Sequence, residues 1–279
     1  GVPLPAEGMV LNIGRITTGT QVAAQATEGT AVQETDIDDT LLSVNVRTYA
    51  GQQDLSRQSL ERGSGADGIV YADLVADYHL RLNTGVINGD GTSGTHLGVR
   101  NTPGILTVTY TDATPTLGEL YAKLADAIQQ MNTQRLMPAT AILMHPRRWG
   151  WLTAAFDTGG RPLVQTDPST AVNAVGIGEA AKTGQVVGRI HGLPVITDPT
   201  IPTNVGAGTN EDVVIVYRAP DHILWEEGGG EPRRLRFEET QGDKLLVKLV
   251  IYGYSAYTAG RYPTAAAIVT GTGLIAPTF

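Results

Sequence analysis

The sequence predicts a mixed α+β fold with a large β component, on three observations. The chain of 279 residues contains 34 glycines and 15 prolines, a composition that favours strands, turns and extended segments over a helical bundle. Hydrophobic residues make up 41% of the chain and charged residues only 17%, which indicates that partners cover part of the surface. Two segments nevertheless carry apolar residues at helical spacing. A chain of this length buries a core in one large domain or two modest ones.

The first predicted element is a long β-hairpin from about Met9 to Tyr49, in which two alternating segments flank a small, polar tip. Thirteen strand residues at about 3.3 Å each reach roughly 40 Å, too far for the ends of the hairpin to stay over one core. An isolated two-stranded ribbon is marginal in water. We therefore expect a neighbouring surface to order this hairpin.

Two amphipathic helices are predicted after the hairpin. The first covers residues 67–82 and ends at Asn83-Thr84-Gly85, before a glycine-rich turn over residues 88–94. The second covers residues 117–131, with Thr116 as its N-cap. The apolar faces that predict them are formed by Tyr71, Leu74, Val75, Tyr78 and Leu82 in the first helix and by Leu120, Leu124, Ile128 and Met131 in the second.

The rest of the chain predicts a small α/β unit and then further strands. A buried strand over residues 139–144 precedes a short helix that contains Trp149 and Trp151, and residues 157–170 predict a loop. The later elements are buried strands over residues 193–196 and 213–217, a turn at Gly228-Gly229-Gly230, an exposed strand with three arginines, and a longest strand over residues 245–252.

The motifs of catalysis and metal binding are absent from the sequence. The turn over residues 88–94 lacks the Gly-Lys-Ser/Thr ending of a phosphate-binding loop, and no Gly-x-Ser-x-Gly nucleophile elbow is found. The five histidines do not have zinc-site spacing, and there is no cysteine. The paired carboxylates at Asp38-Asp39, Glu226-Glu227 and Glu238-Glu239 lie in polar segments. We predict no enzyme activity, no catalytic residues, no metal and no cofactor; a hydrolase is the remote alternative.

Charge is the most informative feature for partners. The net charge of -8 excludes a dedicated nucleic-acid binder, and no apolar run approaches the roughly 20 residues that span a bilayer, so no membrane partner is expected. Between Arg15 and Arg47 there are five acids and no base. Basic residues flank the predicted start of the first helix and cluster in the exposed strand. The acids are Glu28, Glu34, Asp36, Asp38 and Asp39, and the bases are Arg57, Arg62, Arg233, Arg234 and Arg236.

Two interpretations of these charges stay open. They are either ordinary solvated charge or an intersubunit pairing, in which the acidic hairpin of one copy meets the basic residues of a neighbour. Such a pairing would set register and orientation more than it adds affinity.

Five short segments follow one another along the chain. They are Ser56-Arg57-Gln58, then Asn88-Gly89-Asp90-Gly91-Thr92 with Leu97-Gly98, then His145-Pro146-Arg147-Arg148-Trp149, then Gly192-Leu193-Pro194-Val195, and last Arg261-Tyr262-Pro263-Thr264 leading to Ile268, Val269 and Gly271. In this order, over about residues 40–271, they resemble the major capsid proteins of tailed bacteriophages, whose Hong Kong 97 type fold is shared with encapsulin nanocompartments.

The resemblance implies four regions and a structural role. They are an N-terminal arm with an extended hairpin called the E-loop (residues 1–50), a first part of a peripheral domain with a long spine helix (51–113), an α/β axial domain (114–225), and a second peripheral part with a C-terminal tail (226–279). The implied function is self-assembly into hexamers and pentamers of an icosahedral shell in the virion. The shell would enclose double-stranded DNA without sequence-specific binding and would assemble in the host cytoplasm, with portal, scaffolding and decoration proteins as further partners.

Some capsid proteins of this type form an isopeptide bond from an E-loop lysine, but here the first lysine is Lys123, so we expect no such crosslink. The alternative within the fold is an encapsulin shell that loads an enzyme cargo. Because the chain begins with Gly1 rather than Met, we expect a preceding segment that was removed or lies outside this sequence.

Overall fold

The computed structural model describes residues 1–63, 65–154, 186–241 and 244–278. Within these ranges the helices are α1 (Arg57–Arg62), α2 (Ala66–Asn88), α3 (Leu117–Arg135) and α4 (Pro146–Ala154). The strands are β1 (Val2–Pro3), β2 (Val10–Thr18), β3 (Asp38–Asn45), β4 (Arg47–Ser56), β5 (Leu106–Thr109), β6 (Ala141–Met144), β7 (Val186–Ile190), β8 (Leu193–Thr197), β9 (Val214–Tyr217), β10 (Ile223–Glu226), β11 (Arg233–Gln241), β12 (Leu246–Thr258) and β13 (Ala266–Thr270). The predicted loop over residues 157–170 lies outside the described residues.

The strands form two larger sheets and one ribbon, which confirms the predicted α+β class. One sheet has six strands in the order β5-β13-β9-β6-β8-β7. The other has five, in the order β1-β10-β12-β11, with β4 paired along the opposite edge of β12. Strands β2 and β3 form the ribbon, which is the predicted hairpin.

The six-stranded sheet is buried on both faces. Alternate residues of β9 point to opposite sides, so that Val214 and Val216 join one core cluster and Ile215 joins another. Helix α3 covers the first face with Leu120, Leu124 and other apolar side chains. This double burial explains the nearly continuous apolar run of the strand.

Helix α3 begins as the sequence predicts. The Thr116 side chain accepts a hydrogen bond from the Glu119 backbone N–H, and the Glu119 carboxylate accepts one from the Thr116 backbone N–H, which together form a capping box. Such a cap contributes about 1 kcal/mol. The helix continues to Arg135, four residues beyond the predicted end at Met131. It ends there because Leu136 adopts the left-handed conformation.

Helix α2 is the predicted spine helix, but its predicted end at Asn83-Thr84-Gly85 is wrong, because the helix continues to Asn88. Gly85 lies inside the helix, where a β-carbon would collide with the Tyr49 side chain. The glycine therefore permits close packing of the helix on its sheet. Burial of the last turn overrides the low helix propensity of glycine, which costs about 1 kcal/mol relative to alanine.

The predicted second strand of the hairpin ends earlier than Tyr49, because the chain changes its pairing partner at Val46. Asn45 still pairs with Val10 of the hairpin, whereas Arg47 pairs with Ser255 of β12. Strand β4 then follows β12 for ten residue pairs. Strand β12 is the predicted longest strand, extended by several residues beyond 252.

The boundaries 50/51, 113/114 and 225/226 remain predictions. Sheet membership does not follow them strictly, since β5 and β13 join the six-stranded sheet from either side of the range 114–225. The sheet is therefore completed by segments distant in sequence.

Candidate assembly surface

The β2–β3 hairpin has one face packed on its own chain and one face open. Leu11 pairs with Val44 and Ile13 with Leu42, and these side chains pack against Trp225 of β10 and the end of β12. The expectation that the whole hairpin needs a neighbouring surface is thus wrong for its base. The base is ordered by the chain's own five-stranded sheet.

The opposite face of the hairpin and its tip segment (residues 19–37) expose apolar side chains. Leu41 is 70% exposed, and Val22 and Val32 of the tip segment are 95% and 76% exposed. Several strongly exposed apolar side chains on one element make it a candidate surface for binding another protein. These residues were not predicted as a surface, although the sequence carries one signal: adjacent Leu41 and Leu42 must point to opposite faces of a strand.

The five predicted acids all lie on this hairpin. Glu28, Glu34 and Asp36 belong to the tip segment, and Asp38 and Asp39 open β3. Their side chains are exposed, and within the described residues none of them forms an ion pair. The structure thus gathers the predicted acidic group on one element and leaves it without partners.

The three predicted arginines of the exposed strand lie on β11, at the edge of the five-stranded sheet. The Arg236 guanidinium forms an ion pair of 2.9 Å with Glu238, and Arg233 pairs with Glu227. The Arg234 guanidinium lies 5.6 Å from the centroid of the Tyr71 ring. All three side chains are exposed, as predicted, but each already has a contact in its own chain.

The remaining two arginines, Arg57 and Arg62, are the first and last residues of helix α1, which leads into the spine helix as expected. The Arg57 guanidinium donates to the Glu61 carboxylate at 2.9 Å. This bond, the charge of Glu61 and the more distant charge of Glu238 on β11 raise the pKa of Arg57. Within the described part of the chain Arg62, the last residue of α1, has no ion pair.

Four of the five predicted arginines therefore already have a partner within their own chain. Exposed ion pairs of this kind contribute about 0.2–1 kcal/mol each, so exchanging a partner within the chain for one in a neighbour costs little. The outer edge of β11 has no strand partner among the described residues, which leaves backbone N–H and C=O groups available for pairing.

Two of the five histidines are largely buried and form hydrogen bonds within the chain. The His96 imidazole is buried and hydrogen-bonded to the Ser255 hydroxyl at 3.0 Å, and burial, with a smaller effect of Arg47, lowers its pKa to about 4. His222 bonds the Tyr257 hydroxyl at 2.8 Å, and burial lowers its pKa as well. In the described ranges no group of three or more acidic or histidine side chains is placed to hold a metal ion.

None of the described helices has both the length and the apolar character needed to cross a membrane. The described structure combines a long helix packed on a five-stranded sheet, a second sheet buried on both faces, and a hairpin with an exposed outer face. The model of the phage capsid family matches residues 5–230, so the chain belongs to this family. Proteins of this family are structural subunits of the capsid shell.

Solved structures confirm the predicted fold. A chain from Gordonia phage Cozz superposes with a TM-score of 0.68 at 16% identity, over 97% of this chain and 84% of that chain. The capsid of an empty GTA particle gives 0.68 at 14% identity, over 97% and 87%. Mycobacterium phage Ogopogo gives 0.66 at 14% identity, over 97% and 89%. A search of curated protein sequences finds no match.

Proposed function

We propose that this chain assembles as hexamers and pentamers of an icosahedral shell that encloses the double-stranded DNA of a tailed phage. The observation that carries the proposal is the hairpin, whose base is held by its own sheet while its outer face and tip expose Leu41, Val22 and Val32. Apolar side chains left exposed in this way are typical of a surface that another protein covers. Assembly would take place in the host cytoplasm.

The charge of the subunit suits a shell around DNA. With 28 acids against 20 lysines and arginines, the wall does not hold phosphate groups tightly, which lets the genome move during packaging and release. Portal, scaffolding and decoration proteins are the further partners that such a shell would use.

The experiment that tests this function is the analysis of purified particles. Electron microscopy of particles from a producing culture should show closed icosahedral shells, and nuclease-resistant double-stranded DNA should be recovered from them. Mass spectrometry that finds an enzyme cargo and no DNA would instead favour an encapsulin shell. Particles that fail to form at all would contradict both.

The shell is proposed to be free of isopeptide crosslinks. Because the first lysine of the chain is Lys123, in helix α3, no lysine amine is present on the hairpin. Denaturing electrophoresis of mature particles should therefore show one band at the monomer mass of 29.5 kDa. A ladder of covalent oligomers would refute this.

Charge pairing between the acidic hairpin and the basic residues of a neighbour is proposed to orient the subunits. Simultaneous replacement of Arg233, Arg234 and Arg236 by Glu would place like charges opposite the hairpin acids. We expect the free energy of unfolding of the unassembled subunit to fall by at most about 3 kcal/mol, since the two ion pairs and the cation–π contact that are lost are all exposed.

The same variant should form few or no shells at concentrations at which the wild type assembles. The matched control is Arg81→Gln, which removes an exposed arginine from the spine helix, where it pairs with Asp77 at 3.4 Å. If the triple variant forms normal shells, the proposed charge pairing is wrong and the three arginines are ordinary solvated residues.

A further inference from the structure

A cleft separates the base of the hairpin from the loop that follows the spine helix. Its volume is about 440 Å³. Strands β2 and β3 form one wall, the segment from Asp90 to Pro103 forms another, and the end of β12 closes it. The cleft therefore lies where the hairpin joins the body of the subunit.

Two partly buried arginine residues line this cleft. Arg15 lies on the inner face of β2, and Arg47 follows the point at which the chain leaves the hairpin. One amino group of Arg47 donates to the Gly91 carbonyl at 2.7 Å, which leaves its other donors available. Among the residues that the structure describes, neither guanidinium has a carboxylate within 4 Å, and Arg15 has no hydrogen-bond acceptor.

The other polar groups of the cleft do not neutralise these charges directly. The Asp90 carboxylate accepts hydrogen bonds from the Thr92 backbone, the Thr92 hydroxyl and the Thr95 hydroxyl at 2.9, 2.6 and 2.8 Å. These bonds lower the pKa of Asp90 to about 2. Both carboxylate oxygens of Asp90 therefore accept hydrogen bonds from its own loop. The buried Thr258 hydroxyl accepts from the Gly260 N–H at 3.0 Å and can donate its own proton into the cleft.

We propose that this cleft binds the carboxylate of a side chain from a second copy of this chain, held between the guanidinium groups of Arg15 and Arg47. Guanidinium groups bind carboxylates through paired, charge-assisted hydrogen bonds, which are about twice as strong as neutral ones. A charged donor that is partly removed from water and left without an acceptor is costly, so a partner carboxylate stabilises it. The inference rests on the proposed function, because assembly brings the second copy to the cleft.

The source of the anion follows from charge and shape. The chain has an excess of acids, and the five acids of the hairpin are exposed and unpaired within the described residues, so each neighbouring copy offers suitable carboxylates. The side chain of an aspartate or glutamate is flexible enough to enter the cleft. A DNA phosphate is fixed on a duplex that stays stiff over about 150 base pairs, which suits an open surface better than a cleft.

The test uses shells assembled from purified full-length chains. Arg15→Gln should raise the subunit concentration needed for assembly on the order of tenfold, which is the loss expected for one charge-assisted contact. Arg15→Lys, which keeps the charge but loses the planar fork, should give a smaller shift. The control Arg81→Gln should assemble as the wild type does, and thermal unfolding of the unassembled chains should show that all variants fold.

A density map of wild-type shells, prepared with and without DNA, decides the identity of the anion. A carboxylate of a neighbouring copy within about 4 Å of the Arg15 guanidinium supports the proposal, even if Arg15→Gln proves unable to fold. A phosphate of DNA, a carboxylate of the same chain, a solvent ion or an empty cleft would overturn it. So would assembly of Arg15→Gln at the wild-type concentration.

The two proposals fail separately. If the wild type forms no shells, the proposed function is wrong. If shells form and the cleft holds no neighbouring carboxylate, only the proposal for the cleft is wrong.

Discussion

The six-stranded sheet and the β2–β3 hairpin differ in how many of their faces the chain itself covers. In the sheet, both faces of β9 are buried, one of them under helix α3. In the hairpin, Leu11 and Val44 face the chain's own five-stranded sheet, while Leu41 and the apolar residues of the tip segment face solvent. One chain therefore covers both faces of the sheet by itself, whereas it leaves the outer face and the tip of the hairpin exposed.

Charged groups show the same difference. Near the six-stranded sheet, Arg148 is only 1% exposed, and it donates to Asp212 at 2.9 Å and to the carbonyls of Leu274 and Ile275 at 2.8 and 2.6 Å. Arg147 donates to the other oxygen of the same carboxylate at 2.7 Å. On the hairpin, by contrast, the five acids have no ion pairs within the described residues.

The largest expected effect comes from breaking the buried cluster. Arg148→Met leaves the Leu274 and Ile275 carbonyls without their donor and weakens the neutralisation of Asp212. We expect the free energy of unfolding to fall by about 3–5 kcal/mol, the range for removal of one partner from a buried pair. Urea unfolding of the unassembled subunit measures it, with the exposed change Arg81→Gln as the control. A loss below about 1 kcal/mol would show that the cluster does not stabilise the sheet.

An intermediate effect is expected at His96, which is buried against strands β4 and β12 of the five-stranded sheet. The unfolded chain binds a proton at the ordinary histidine pKa near 6.5, but the folded chain binds one at His96 only near pH 4. The unfolded state therefore holds more protons in this window, and stability falls as the pH drops from about 6.5 to 4, by about 3 kcal/mol from this residue.

The variant His96→Gln should remove that part of the pH dependence, as measured by urea unfolding at pH 7, 5.5 and 4. His79→Gln, at an exposed position of the spine helix, should keep the slope of the wild type. If both variants keep the slope, the proton is not excluded from His96 in the folded state.

Leu41→Ser is expected to have the smallest effect on the stability of the subunit. Its effect on assembly of the shell is expected to be large. Leu41 is 70% exposed, so the free energy of unfolding of the unassembled subunit should change by less than about 0.5 kcal/mol. Covering a leucine in an interface is worth about 1.5–3 kcal/mol, so the concentration needed for assembly should rise on the order of tenfold.

Light scattering during assembly measures this effect of Leu41→Ser. Ile69→Ser is the matched control, because Ile69 is also 70% exposed but lies in the first turn of the spine helix. Equal behaviour of the two variants would mean that the outer face of the hairpin has no special role in assembly.

Much of the fold could be predicted from local patterns. Helix α3 follows from its apolar face and from the Thr116 cap, and strand β9 follows from a short, continuous apolar run. The end of helix α2 could not be predicted, because Gly85 normally marks a helix end. Here it makes room for Tyr49, which is distant in sequence.

The candidate surface was predicted in part. The position of the five acids on one hairpin and of three arginines on one exposed strand followed from sequence order alone. Their partners did not: Arg233 pairs with Glu227 through a turn of three glycines, and Arg234 lies over Tyr71 of the spine helix. The cleft that holds Arg15 and Arg47 also had no sequence signal, since it is formed by three separate segments.

The sequence by itself determined the class of the fold, the three helices other than α1, most strands and the acidic, lysine-free hairpin, because these depend on residue types and on spacing along the chain. Only the tertiary structure decided where the chain changes its pairing partner at Val46, which face of the hairpin remains open, and which arginines already have partners. These features depend on contacts between segments far apart in the chain. Local periodicity carries no information about such contacts.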